Sequence, residues 1–123
     1  MMIAVLEKKC GLKLAAQDVF LNVAGGLKVE DPGVDLAIIM ALASSYFDSA
    51  ITENICFAAE VGLSGELRPV RQVESRVKEA HKLGFKTVYL ASLDEEKLGS
   101  DLKTKIKVLG HENISTLMKT FFV

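Results

Sequence analysis

The chain has 123 residues, half of them hydrophobic and a quarter charged, so it suits one domain with a real core and excludes global disorder. Its net charge of −1 argues by itself neither for nor against nucleic acid. The longest apolar run, residues 36–43, is too short to span a bilayer, and Met1-Met2-Ile3 lacks the basic, long apolar and cleavage regions of a secretory signal, so a reduced, cytoplasmic setting is expected.

In chain order, residues 1–9 suit a short helix stopped by Gly11. Residues 18–24 alternate Val19, Leu21 and Val23 with Phe20 and Asn22, the period of a strand, and Gly25-Gly26 end it. Asp31 is placed to cap a helix opened by Pro32, and Asp35 sits early, where the helix dipole favours an acid. Residues 34–47 are apolar on nearly every side, which predicts a buried, central helix with small alanine positions. Residues 55–61 read as a second strand. Gly62 and Gly65 bracket a turn, and residues 66–68 form a short extended piece, with Arg68 pushed off helical dihedrals by Pro69. Val70, Val73, Val77 and Ala80 share one helical face, and Gly84 is the expected left-handed residue after that helix, with Phe85 packing back. Residues 86–90 form a third strand. Ser92 and Glu95 match a capping box for a short helix ending near Gly99. Residues 104–109 alternate as a fourth, half-exposed strand, and Asn113 caps a last helix that presents Ile114, Leu117, Met118 and Phe121 on one side.

The order β-α-β-β-α-β-α-β-α predicts an α/β (α+β) domain, two layers with a mixed sheet, organised around the strand-turn-strand-helix unit of residues 57–83. No repeat, low-complexity stretch or linker divides it.

Charge is segregated along the chain. Residues 29–67 hold seven acids and no Lys or Arg, whereas residues 68–86 hold six bases, Arg68, Arg71, Arg76, Lys78, Lys82 and Lys86, against Glu74 and Glu79. Such segments suit a head-to-tail subunit contact, a phosphate-binding surface or simply solvated faces. Chemistry is sparse. No phosphate loop ends in Lys-Ser/Thr, and Cys10 and Cys56, far apart, read as free thiols. There is no Cys/His cluster for zinc. His81 and His111 read as ordinary surface residues, and Ser44 and Ser45 as helix-end residues. Helix capping accounts for Asp31 and Asp35 more simply than a catalytic carboxylate pair.

Two long stretches, GLKLAAQDVFLNVAGGLKVEDPGVDLAIIMALASS and EVGLSGELRPVRQVESRVKEAHKLGFKTVYLAS, resemble the C-terminal domain of the RadA (Sms) family of bacterial DNA repair proteins. That domain is similar to the proteolytic domain of Lon proteases, and the likeness runs from about Met2 to Phe121. The resemblance implies a fold of the Lon proteolytic-domain or ribosomal protein S5 domain 2-like type, within a longer protein whose zinc finger and RecA-like ATPase domains lie outside this chain. ATP, magnesium and zinc would belong to those domains, with no cofactor here. Lon-type proteases pair a serine with a lysine. The matching positions here are Gly33 and Glu74, which offer neither hydroxyl nor amine, so the resemblance implies a scaffold without peptidase chemistry. It further implies a hexameric ring, branch migration on DNA, and a RecA-type recombinase as possible partner. Arg68, Arg71, Arg76, Lys78 and Lys82 are the candidates for a DNA or subunit contact, with Lys8, Lys9 and Lys13 next. The competing expectations are a peptidase with a displaced nucleophile, Ser44, Ser45 or Ser64, and a pure nucleic-acid-binding module.

Overall fold

The computed structural model describes residues 32–51 and 54–122. The predicted helix at 1–9, the strand at 18–24 and the Asp31 cap lie outside them. A 3-10 turn, Pro32–Val34, opens the described chain. The helices are α1 Asp35–Phe47, α2 Val73–Lys82, α3 Ser92–Lys97, α4 Ser100–Lys105 and α5 Ile114–Phe122. The strands are β1 Ile55–Ala58, β2 Glu60–Val61, β3 Leu67–Arg68, β4 Thr87–Ala91 and β5 Lys107–His111.

β1, β4 and β5 form a parallel sheet with β4 in the middle, Ile55 facing Thr87 and Thr87 facing Lys107. Because strand side chains alternate between faces, β4 splits its apolar residues between two cores. Tyr89 and Ala91 join Leu36, Ile39 and Met40 of α1 and Ile114, Leu117 and Met118 of α5. Val88 and Leu90 join Val73, Val77 and Ala80 of α2, with Leu98, Leu102 and Ile106 around α4. Both crossovers of the sheet therefore run over one face, and α1 and α5 cover the other. The expected two layers are three among the described residues: helices, sheet, helices. The cause is that a parallel central strand must be dry on both sides.

Several boundaries differ from the sequence pattern. The predicted strand 55–61 breaks at Ala59, which is fully buried, and its two halves join different sheets. The break is held from α1: the Leu36 amide donates to the Ala59 carbonyl (3.1 Å), and the Val61 amide donates to the Asp35 carboxylate (3.2 Å). Asp35 is thus the early acid expected, with a further partner across the fold. The residue that precedes α1 is Val34, which has no side chain able to cap it. Ser92 is already helical and makes no capping hydrogen bond, because β4 runs straight into α3 with Ala91 as the junction. Thr104 and Lys105 belong to α4, and only residues from Lys107 onward pair with β4.

Other local signals match. Gly84 has φ +94°, its amide donates to the His81 carbonyl (3.1 Å), and the Phe85 amide donates to the Ala80 carbonyl (3.0 Å). That is the double hydrogen-bond closure of a Schellman motif. α2 itself starts at Val73 behind Gln72, whose φ of 53° is left-handed. Asn113 caps α5, its Oδ1 accepting from the Thr116 amide (3.1 Å).

α3 lies so close to β5 that a Cβ on Gly110 would sit 2.9 Å from the Ser92 Cα, which is backbone and cannot swing away. Gly110→Ala is expected to lower the unfolding free energy by about 1–3 kcal/mol in a denaturant titration. Gly99→Ser, at a position with no atom within 4 Å and ahead of α4, should leave it unchanged or slightly raised.

Candidate functional site

Gly33 and Glu74, the two positions singled out in the sequence, lie apart. Gly33 is buried in the 3-10 turn ahead of α1, and the Arg76 guanidinium from α2 lies directly over it. A Cβ there would be 2.7 Å from Arg76 Nη1. Arg76 is steadied along its stem, its Nε donating to the Arg71 carbonyl at 2.9 Å. Glu74 is on another face of α2. Its carboxylate pairs with Lys78 Nζ (3.1 Å), and both side chains are largely exposed. Glu74, Lys78 and His81 line a cleft of about 510 Å³ against Ser100, Asp101 and Lys105 of α4. The structure brings Arg76 to Gly33, and places Glu74 in a separate cleft.

Beside Gly33 and Arg76 runs an open, mainly apolar groove of about 390 Å³, lined by Cys56, Phe57, Glu79 and Leu83 among others. Cys56 is half-buried there. Burial pushes its thiol up to about 11, so it stays protonated at neutral pH and is a poor nucleophile. It donates weakly to the Thr87 carbonyl (3.7 Å).

Among the described residues no neighbouring base sets up any of the alternative hydroxyls. Ser44 Oγ donates to the Ser49 carbonyl (2.7 Å), which closes the end of α1. Ser45 is exposed in the same turn. Ser64 sits in the β2–β3 turn, its amide donating to Glu66 Oε1 (3.0 Å). Among the described residues no hydrogen bond joins these hydroxyls to a histidine or lysine. His81 is exposed. His111, at the end of β5, shares a hydrogen bond with Thr116 Oγ1 (3.1 Å) and packs against Tyr89, ring centroids 5.6 Å apart. Burial holds His111 below its ordinary titration range. No three His, Cys, Asp or Glu side chains converge as a metal site among the described residues.

The basic run of residues 68–86 does not fold into one patch. Arg68 lies on β3 and is engaged by Glu66 at 2.9 Å. Arg76 covers Gly33, Lys78 faces the α4 cleft, and Lys82 is exposed in the last turn of α2. Two residues escaped the sequence reading. Asp94 is wholly buried, its Oδ2 accepting from the Val70 amide (2.8 Å) and its Oδ1 lying 3.6 Å from Lys97 Nζ. It fixes the chain between β3 and α2, and nothing in the pattern of residues 92–97 marks it. Glu66 is the other: its carboxylate folds back onto the turn at Gly62, and only the Gly62/Gly65 pair hinted at a tight approach.

The family model described as "Subunit ChlI of Mg-chelatase" matches residues 2–94. The DNA repair protein RadA of Bacillus subtilis (strain 168) is 45% identical over 122 residues, which cover 98% of this chain and 26% of that protein. The DNA repair protein RadA of Streptococcus pneumoniae (strain ATCC BAA-255 / R6) is 42% identical, covering 99% and 29%. That of Listeria monocytogenes serovar 1/2a is 43% identical over 121 residues, covering 97% and 26%. The chain spans a little over a quarter of the length of these relatives.

Two outcomes follow from the geometry. Gly33→Ser pushes aside the far end of the flexible Arg76 side chain and should cost up to about 1 kcal/mol of stability. In an Arg76→Ala background the same change should cost far less, a coupling that a double-mutant cycle in urea reads directly. For His111 the folded state binds its proton less readily than the unfolded chain. Stability should therefore fall as pH drops below the ordinary value of 6.5, the loss being complete at the lowered folded value. Thermal melts across that range should show a smaller slope for His111→Gln.

Proposed function

This chain belongs to the family described as subunit ChlI of Mg-chelatase, and on that premise we propose that it is the non-proteolytic, Lon-protease-like domain of a DNA repair protein of the RadA kind. The observation that carries the reading is identity of 45% and 42% over 122 residues to proteins named DNA repair protein RadA. The family description contributes domain kinship alone; no chelatase chemistry is taken from it.

The proposed role is assembly. Six copies would form a ring stacked on the ATPase ring of the longer protein, which drives branch migration on DNA with ATP, magnesium and zinc held outside this domain. DNA, and a RecA-type recombinase, are the proposed partners, in the cytoplasm. Within the domain itself no peptide bond is cut. Gly33 supports this by having no side chain, and Glu74 by being an acid already paired with Lys78. Arg76 adds to it, because the guanidinium occupies the space a nucleophile's side chain would need.

Mass photometry or light scattering of the purified protein, with and without single-stranded DNA, is expected to show a ring-sized particle. A strict monomer at high concentration would overturn the assembly role. Casein and unstructured peptides should remain intact; cleavage abolished by Ser44→Ala, Ser45→Ala or Ser64→Ala would instead establish a displaced nucleophile.

A further inference from the structure

The turn joining β2 and β3 is tightly built. The Gly65 amide donates to the Gly62 carbonyl (2.9 Å), the Gly62 amide donates to the Glu66 carbonyl (2.9 Å), and Gly65 is left-handed at φ +81°. The hairpin is also fastened to the β5–α5 junction. The Leu67 amide donates to the Glu112 carbonyl and the Ile114 amide to the Gly65 carbonyl, each at 2.9 Å. Its backbone is therefore fixed at the root as well as in the turn.

One anion already sits in that turn, and it is the protein's own. The Glu66 carboxylate accepts from the Ser64 amide (3.0 Å) and from Arg68 Nη2 (2.9 Å). It lies so close over Gly62 that a Cβ on that residue would collide with it. The Arg68 hydrogen bond, first, and then backbone amides hold Glu66 below the usual carboxylate range. Backbone amides of a turn together with a guanidinium are the donors that phosphate oxygens take. Both side chains are about half exposed, 50% for Arg68 and 43% for Glu66, so solvent screens the pair and it is cheap to open.

We propose that this turn is a phosphate-oxygen site held shut by Glu66, which an incoming phosphate group displaces from the Ser64 amide and Arg68. Only the Glu66 side chain has to move, since the hairpin backbone is anchored on both sides. A phosphate can accept two parallel N–H bonds from Arg68, where the carboxylate takes one, and this favours the exchange. Glu60 faces Arg68 across the strand pair and keeps the emptied site from being strongly cationic, so the wild-type site is weak. The phosphate's source is either a nucleic-acid strand or free phosphate. The first rests on the DNA-repair reading above; the site itself does not.

The test uses four proteins: wild type, Glu66→Gln, Gly62→Ala and Glu66→Gln/Arg68→Ala. Gly62→Ala ejects the carboxylate by collision while leaving net charge unchanged, and Gly62 is not left-handed, so alanine suits its backbone. Inorganic phosphate is titrated while the Ser64 and Glu66 amide resonances are followed, and a fluorescent oligothymidylate is titrated by anisotropy at low salt. Glu66→Gln and Gly62→Ala should each bind phosphate about three-fold tighter or more, and adding Arg68→Ala should erase the gain. Should Gly62→Ala melt early, Glu66→Gln with its Arg68→Ala partner carries the result. A gain for both probes assigns the site to strand phosphates. A gain for inorganic phosphate alone keeps the site and counts against the DNA contact. Unchanged affinity in the opened variants, or a gain that survives Arg68→Ala, overturns the proposal.

Discussion

The dryness of β4 on both faces is the constraint from which the arrangement follows. Thr87–Leu90 pair with a strand on each side, and Val88–Ala91 pack alternately into two separate cores. Burying a single leucine such as Leu90 contributes about 1.5–3 kcal/mol, whereas solvent screens the exposed ion pairs. Burial therefore decides the topology, and the charges decorate it. Once β4 is central, β1 and β5 must flank it in parallel, and their crossovers must supply helices for one face. α1 and α5 are then the elements left to cover the other.

Close approaches at glycines carry that architecture to the surface sites. Gly110 lets α3 pack onto β5, Gly33 lets Arg76 lie flat on the turn before α1, and Gly62 lets a carboxylate fold over a hairpin. In each case the missing Cβ is replaced by a group from elsewhere: backbone, a cation, an anion. At Gly33 the space a Cβ would occupy is taken by the Arg76 guanidinium, which is tied to the Arg71 carbonyl. The two residues support one another, since the arginine needs the glycine and the glycine leaves a gap without the arginine.

What could be read from residues alone was largely what local chemistry dictates. The apolar face of α2, the Gly84 closure, the Asn113 cap and the Gly62–Gly65 turn each depend on a few neighbouring residues, and each is present. What failed depends on distant partners. Nothing within residues 55–61 says that Ala59 must break the strand; α1 imposes the break through Leu36 and Asp35. Ile106 and Val108 alternate as a strand would, yet residues 100–105 are helical because Leu102 reaches the core on the α2 side. Ser92 and Glu95 had the residue types of a capping box, but β4 delivers Ser92 already inside the helix. Glu95 spends its carboxylate on Lys103 (3.0 Å) instead.

The charge segments show the same divide between linear order and space. Residues 68–86 carry six bases, but the chain there turns from strand to helix to strand, so consecutive bases leave it in different directions. Arg76 is drawn inward, Lys78 is answered by Glu74, and Arg68 is answered by the acid two residues before it. A run of one sign becomes a surface of one sign only where the backbone keeps those side chains on a common face, as an uninterrupted helix does at every third or fourth residue. Here it does so only for Lys78 and Lys82, four apart on α2. Residues 68–86 therefore offer single cations rather than a basic stripe, and among the described residues the β2–β3 turn brings one of them, Arg68, together with a backbone amide, that of Ser64.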